Sequence, residues 1–456
     1  MREHWSNRLG FILAALGSAV GLGTLWKFPY VTGQNGGGLF MLFYFCFTLF
    51  FAIPLFIGEL VIGRSSQRAS VGAFAALSGE KTPWKSVGWL AVLSSFFILS
   101  YYCVVAGWGL NYLMMSLNLF FDYHTPEEIP HLFDILSGSG DISMFWATMF
   151  LLLTFAVVYK GIRKGIERWS RILMILLVAF LLALTLYSIT LDGFVPSLHF
   201  LFSPEAGAFK ASSILEALGL SFFTLSLAQG VIITYGSYLN HKENVLSTAF
   251  IIGFFIIGIS LLSVLMIFPV IFTFNLPIQG GPGLVFKTLP LLLAKLPGAM
   301  LLSTLFFALF TFAALTSSVA LVEVIVANLM DLYRLTRKRA IIYSLIAIFI
   351  VIIPSALANS HTLFKQWEPI FGMTFFDSLD QLVSTWMLPI GGFLTALYLG
   401  WKLDRTLLRE EFTSNLKAKW IFHIWFVILR WVVPIGVIGI FLQNSGFIDL
   451  DKMFVK

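Results

Sequence analysis

Two short stretches carry residues suited to binding rather than to bond-making: GSAVGLG at 17–23, and the Thr/Ser/Gln/Gly interruption inside FFTLSLAQGVIITY at 222–235. Each sets glycines or hydroxyl side chains in the middle of a long apolar run. Unwound there, the backbone would leave N–H and C=O groups without helical partners, at several kcal/mol each in lipid unless a ligand or cavity water takes them. Half-helix N-termini then offer N–H donors and positive dipole to a carboxylate, while freed carbonyls suit Na+ or a substrate ammonium. Gly17 and Gly21 alone would also fit a GxxxG helix contact. The second interruption, at the same depth of another span, favours binding.

Bond-making chemistry finds no comparable pattern. The seven histidines (His4, His124, His131, His199, His241, His361 and His423) form no HExxH or other metal spacing, and the chain has no GxSxG and no Gly-rich phosphate loop. The sequence therefore predicts no enzyme. Glu59 and Glu323 fall inside apolar runs, where ionisable side chains are expensive and usually functional.

The elements that must position these residues follow from composition. With 58% hydrophobic and 11% charged residues, the 456-residue chain suits lipid and would aggregate as a soluble globule. Apolar stretches of about 20 residues recur along its length, enough to cross a hydrocarbon core of roughly 30 Å as helices. Eleven spans are predicted, at 9–32, 38–63, 84–118, 143–159, 170–192, 212–238, 246–274, 297–330, 339–357, 378–401 and 419–443. The fold class is an all-α polytopic membrane protein of one transporter domain over 1–456. A break in span 1 and another in span 6 point to two five-helix repeats, 9–192 and 212–401, inverted about an in-plane pseudo-twofold axis, with 419–443 as an additional helix. The first apolar stretch is too long for a signal peptide and should stay as span 1.

Taking alternate loops as one side and starting with the N-terminus inside, that side holds 21 of the 29 Lys and Arg residues. It includes the cluster Lys160, Arg163, Lys164, Arg168 and Arg171, whereas the connection 119–142 carries no basic residue and is acidic. The N-terminus is thus expected in the cytoplasm and the C-terminus outside. The pI of about 9.2 reports loops near anionic membrane lipid and no nucleic-acid partner. The stretch 401–420 reads as a cytoplasmic interfacial helix. Cys46 and Cys103 lie in apolar spans and read as small hydrophobes. No N-x-S/T acceptor occurs, and nothing in the sequence sets an oligomeric state.

WSNRLGFILAALGSAVGLGTLWKFPYVTGQNGGG (5–38), FFTLSLAQGVIITYGSY (222–238), GPGLVFKTLP (281–290) and FAALTSSVALVE (312–323) together resemble the neurotransmitter:sodium symporter family, over residues 2 to about 443. Lacking a twelfth span, the chain looks like its eleven-helix bacterial branch, which implies a bacterial cytoplasmic membrane and sodium-coupled symport of an amino acid. The resemblance implies a sodium ion between the carbonyls of Gly17, Val20 and Ala313 and the hydroxyls of Thr316 and Ser317, all oxygen ligands as a hard cation requires. Those hydroxyls could instead bond back to their own helix.

The family's other sodium site would use the Ala19 carbonyl, Thr24, Thr224 and a residue on span 7. Thr24 stands where the family usually has Asn, and Ile256 at the span 7 position offers no ligand. One robust sodium site is expected, with the second absent or altered. Ile256 and Leu220 also argue against the family's chloride site, although Tyr44, Thr224 and Ser260 could contribute oxygens.

The family pattern further implies that a substrate carboxylate meets the Leu22 and Gly23 amides and the Tyr102 hydroxyl. Its amine would meet the carbonyls of Ala19, Phe223 and Thr224 and the hydroxyl of Ser226, with Gly21 leaving room for an α-amino acid. Ser18, Ile98, Phe223, Ser226, Gln229, Ser317 and Leu321 would line the side-chain pocket, where Gln229 suggests a neutral substrate with some polarity. Lys27 and Asp380 would form the outer gate, with Lys in place of the usual Arg and hence without a bidentate fork. Arg2, Trp5, Tyr238 and Asp331 would form the inner gate. Glu59 would support the unwound part of span 6, and Glu323 either does likewise or holds a proton. A passive channel or a substrate sensor on the same fold is the alternative.

Overall fold

The computed structural model describes residues 3–120, 124–125, 128–203, 209–241, 243–275, 281–360, 367–413 and 420–447. Arg2 of the expected inner gate and residues 414–419 of the expected interfacial stretch lie outside them. Among the described residues all regular structure is helical. In chain order the helices are α1 (Arg8–Ala19), α2 (Gly23–Gln34), α3 (Gly38–Ser66), α4 (Ser70–Ser78), α5 (Lys85–Leu117), α6 (Ile129–Gly138), α7 (Gly140–Tyr159), α8 (Ile162–Ser188), α9 (Phe194–Phe202) and α10 (Ala211–Thr224). There follow α11 (Val231–Gly236), α12 (Val245–Thr273), α13 (Leu284–Ala294), α14 (Ala299–Tyr333), α15 (Arg337–Ala356), α16 (Trp367–Phe371), α17 (Phe375–Lys402), α18 (Arg405–Thr413) and α19 (Trp420–Asn444).

Nine of these are long and apolar enough to cross a membrane, and α1 with α2, bent by 51°, makes a tenth. Burial separates an inner scaffold from an outer ring: the apolar windows of α5 and α14 are 78% and 83% buried, against 39% for α8, α15 and α19. Large apolar side chains such as Phe254 and Ile435 point outward from α12 and α19. That is the expected surface of a protein solvated by lipid tails.

Boundaries differ from the sequence expectation where charge or brevity masks a helix. α7 and α8 begin at Gly140 and Ile162, so the basic run 163–171 is helical rather than a loop. Arg and Lys are good helix formers that hydropathy discounts. The connection 119–142 likewise contains α6, too short to register as a span.

Both expected breaks are present. α1 ends at Ala19, and Val20 takes a non-helical ψ of 72°. Between α10 and α11 the chain runs without regular helix, and Ser226, Ala228 and Gly230 have φ of 53°, 61° and 73°. Left-handed backbone costs an L-residue roughly 1–2 kcal/mol, so Ser226 and Ala228 keep it only because surrounding contacts hold them there.

The turns gather into two ends. At one, the Trp5 N–H donates to the Tyr238 carbonyl (3.2 Å), the Ile162 N–H to Glu3 (2.6 Å) and the Ala69 N–H to Asp331 (2.7 Å). At the other, the Trp26 indole N–H donates to the Gly281 carbonyl (2.9 Å) and Lys27 faces Asp380.

Candidate substrate and ion site

The two breaks meet at one carbonyl. Ser226 Oγ donates to the Ser18 oxygen at 2.9 Å, and Ser317 Oγ on α14 donates to the same oxygen at 2.6 Å, lying 3.5 Å from the Gly17 oxygen. Three segments far apart in sequence thus converge where α1 is about to unwind. Gly17 makes this approach possible, since a Cβ there would stand 3.0 Å from Thr316 Cβ. Val20, Thr316 and Ser317 are all buried. Thr316 Oγ1 donates within its own helix, to the Phe312 and Ala313 carbonyls at 3.1 and 3.0 Å. The donor set around Gly17, Val20, Ala313, Thr316 and Ser317 is made of neutral oxygens on two contacting helices, chemistry that fits a hard monovalent cation.

Beside it, Thr24 Oγ1 donates to the Ala19 carbonyl (3.1 Å), and the Thr24 carbonyl accepts from Ser263 Oγ (3.1 Å). Tyr44 Oη donates to Thr224 Oγ1 at 2.8 Å and lies 3.3 Å from Ser260 Oγ. Ile256 is fully buried nearby on α12 and brings only hydrocarbon. Among the oxygens expected at a second cation site, the side chains of Thr24 and Thr224 are therefore engaged in protein hydrogen bonds.

On the other flank of the break, the Leu22 N–H donates to Tyr102 Oη at 3.3 Å. A Cβ on Gly21 would fall 2.3 Å from Ser317 Oγ and 2.8 Å from Tyr102 Oη, and one on Gly23 would fall 2.7 Å from the Phe223 ring. At these two glycines the backbone thus packs directly against two hydroxyls and an aromatic ring. Ser18, Ile98, Gln229 and Leu321, expected to line a side-chain pocket, are each buried. The Gln229 carbonyl accepts from Ser95 Oγ at 2.6 Å.

Glu59, fully buried on α3, accepts the Ala228 N–H at 2.7 Å. This is the amide of a left-handed residue in the second break. The other buried carboxylate, Glu323, accepts from Tyr238 Oη at 2.7 Å and from Arg337 Nη1 at 3.2 Å, with Arg337 Nη2 on its second oxygen at 2.5 Å. Its environment is an ion pair beside Tyr238.

Above the site, Lys27 Nζ lies 3.5 Å from Asp380 Oδ2, 3.3 Å from Ser384 Oγ and 5.0 Å from the centroid of the Phe223 ring. A cavity of about 370 Å³ opens beyond them, lined by Lys27, Glu216, Phe223 and Ser384. Below, Trp5 is buried, with its indole N–H donating to the Tyr235 carbonyl at 3.0 Å. A larger cavity of about 1100 Å³ is lined there by Glu3, Gln67, Arg68, Tyr238, Asp331 and Arg337.

Sequence reasoning missed Ser95, Ser384 and Arg337. Ser384 stands one helical turn after Asp380 and Ser95 two turns before Tyr102, so same-face spacing could have found both. Arg337 lies across a turn from Glu323, and nothing local signals that pairing.

Comparison with known proteins gives the family. The family model for the sodium:neurotransmitter symporter family matches residues 2–128 and 122–452. The sodium-dependent transporter YhdH of Bacillus subtilis (strain 168) is 37% identical, over 98% of this chain and 98% of its own length. The sodium-dependent neutral amino acid transporter B(0)AT2 of Bos taurus is 29% identical, over 59% of this chain and 41% of its own. The crystal structure of MhsT in complex with L-phenylalanine superposes with a TM-score of 0.90 at 38% identity, covering 97% of this chain and 100% of that one. The chain belongs to the sodium:neurotransmitter symporter family, and is an integral membrane transporter rather than an enzyme.

Proposed function

We propose that this chain imports a neutral amino acid by symport with sodium, through alternating access to the pocket between the two breaks. The observation that carries the reading is the shared Ser18 carbonyl, which ties both unwound segments and α14 into one polar site in an otherwise apolar core. The family's sodium dependence, and the complex of MhsT with L-phenylalanine, support it. We take α10 with α11 as the eleventh span and the two halves as an inverted repeat within one domain over 1–456. The basic turns then face the cytoplasm and the C-terminus the outside of a bacterial inner membrane.

In this reading the ammonium is held by the carbonyls of Ala19, Phe223 and Thr224 and by Ser226. The carboxylate is held by the Leu22 and Gly23 amides and Tyr102. Sodium sits at Gly17, Val20, Ala313, Thr316 and Ser317. Lys27 with Asp380 closes the outside, and Arg2, Trp5, Tyr238 and Asp331 close the inside. Gln229 favours a side chain with some polarity. One ion moving down about 100 mV and a tenfold gradient supplies roughly 3.7 kcal/mol, enough for about 500-fold accumulation of a zwitterion. Chloride plays no part, because Ile256 and Leu220 bring hydrocarbon where an anion would need donors.

Uptake of a panel of neutral amino acids into proteoliposomes tests this reading. Accumulation above the outside concentration, only with an inward sodium gradient, is the expected result. Uptake that merely equilibrates would make the protein a channel, and binding without flux would make it a sensor.

A further inference from the structure

We propose that Arg430 and Arg405 form a binding site for the phosphate of an anionic phospholipid, on the membrane-facing side of α17 and α19. The proposal rests on the membrane reading and inside-basic orientation given above, but not on what is transported.

Arg430 stands ten residues into α19, about 15 Å along the helix axis. An arginine on a membrane helix is costly and functional by default. Its backbone packs on α17, where a Cβ on Gly400 would lie 3.0 Å from Arg430 Cα. Its guanidinium lies 4.1 Å from the Trp401 ring centroid, 5.8 Å from that of Trp431 and 5.9 Å from that of Phe426. Arg405, the first residue of α18, sits over the same Phe426 ring at 4.9 Å.

Two guanidiniums therefore share one aromatic ring. Among the described residues no carboxylate pairs with Arg405 or Arg430. Arg430 Nε is buried without a hydrogen-bond partner. The acidic neighbour Asp404 is engaged by the Thr406 N–H at 2.9 Å. Stacking on rings attracts each cation but leaves the mutual repulsion and the forked donors unanswered. A phosphate answers both.

The surroundings specify its source. Trp401 and Trp431 pack edge to face at 5.0 Å and are each about half exposed (52% and 50%), as expected of tryptophans at a membrane interface. Basic residues between spanning helices on the cytoplasmic side are suited to lipid headgroups.

Native mass spectrometry of the full chain, purified and given equal phosphatidylglycerol and phosphatidylcholine of the same acyl chains, tests the site. The wild type is expected to retain phosphatidylglycerol preferentially. R405Q, at an exposed position, should lower that retention about fivefold, and R430Q should lower it at least as far. Equal retention of the two lipids by the wild type would overturn the proposal, as would wild-type selectivity in R405Q. Sodium-dependent amino-acid binding by the same variants in detergent should not change. If the wild type shows no such binding while lipid selectivity holds, the transport reading falls and this one stands.

Discussion

The hydroxyl of Ser226 donates to the carbonyl of Ser18 across 2.9 Å and 208 positions of sequence. That bond joins one broken helix to the other, and Ser317 reaches the same carbonyl from α14. A carbonyl at the end of a regular α1 would be shared with its own helix. Here the helix stops at Ala19, and the oxygen is available to side chains from elsewhere.

In the proposed reading the substrate lies against Gly21, where an added methyl would meet Ser317 Oγ and Tyr102 Oη within 2.8 Å. Gly21→Ala should weaken amino-acid binding at least tenfold, about 1.4 kcal/mol. Gly258→Ala, on α12 where nothing lies within 4 Å of the new methyl, should bind as the wild type does. Binding isotherms on the two purified variants make the comparison, and similar affinities would remove Gly21 from the pocket.

Glu59 holds the second break by accepting the Ala228 N–H. Glu59→Ala leaves that amide unpaired in a buried, left-handed turn, a loss of about 1–3 kcal/mol. Glu59→Gln keeps an acceptor oxygen and should fall between. Thermal unfolding in detergent should rank the proteins wild type, then Gln, then Ala. An Ala variant as stable as the wild type would show that the break holds its shape without this carboxylate.

Lys27 reaches Asp380, Ser384 and the Phe223 ring from a partly exposed position. Exposed pairs contribute about 0–1 kcal/mol, so Lys27→Ala should speed release of bound amino acid only about two- to fivefold. Lys27→Arg, able to form the bidentate fork, should slow it. Dissociation rates of a radiolabelled substrate measure this. Unchanged rates in both variants would mean that the pair does not latch the outer side.

The membrane class was legible in the apolar composition and the recurring runs of about 20 residues, and both breaks because glycines and hydroxyls inside such a run have no role in a regular lipid-facing helix. Ser226 lies inside one of those interruptions, whereas Ser317 was named by the resemblance to the family. The partner of Glu323 did not, because Arg337 pairs with it through a turn whose geometry no periodicity encodes. α6 and the first turns of α8 were hidden as well, the one by its brevity and the other by its charge. Thr316 was legible as an oxygen donor, but hydroxyl direction depends on local carbonyls. Here it points at Phe312 and Ala313 of its own helix.

Amino-acid binding to the purified chain at graded sodium concentrations tests the central claim most directly, namely that one junction holds both substrate and ion. By linkage, sodium and amino acid must raise each other's affinity by the same factor. The account predicts binding that requires sodium with a slope of one ion per substrate. Ser226→Ala should weaken the amino acid, and Thr316→Val should weaken sodium. Equal amino-acid affinity with and without sodium in the wild type would contradict it.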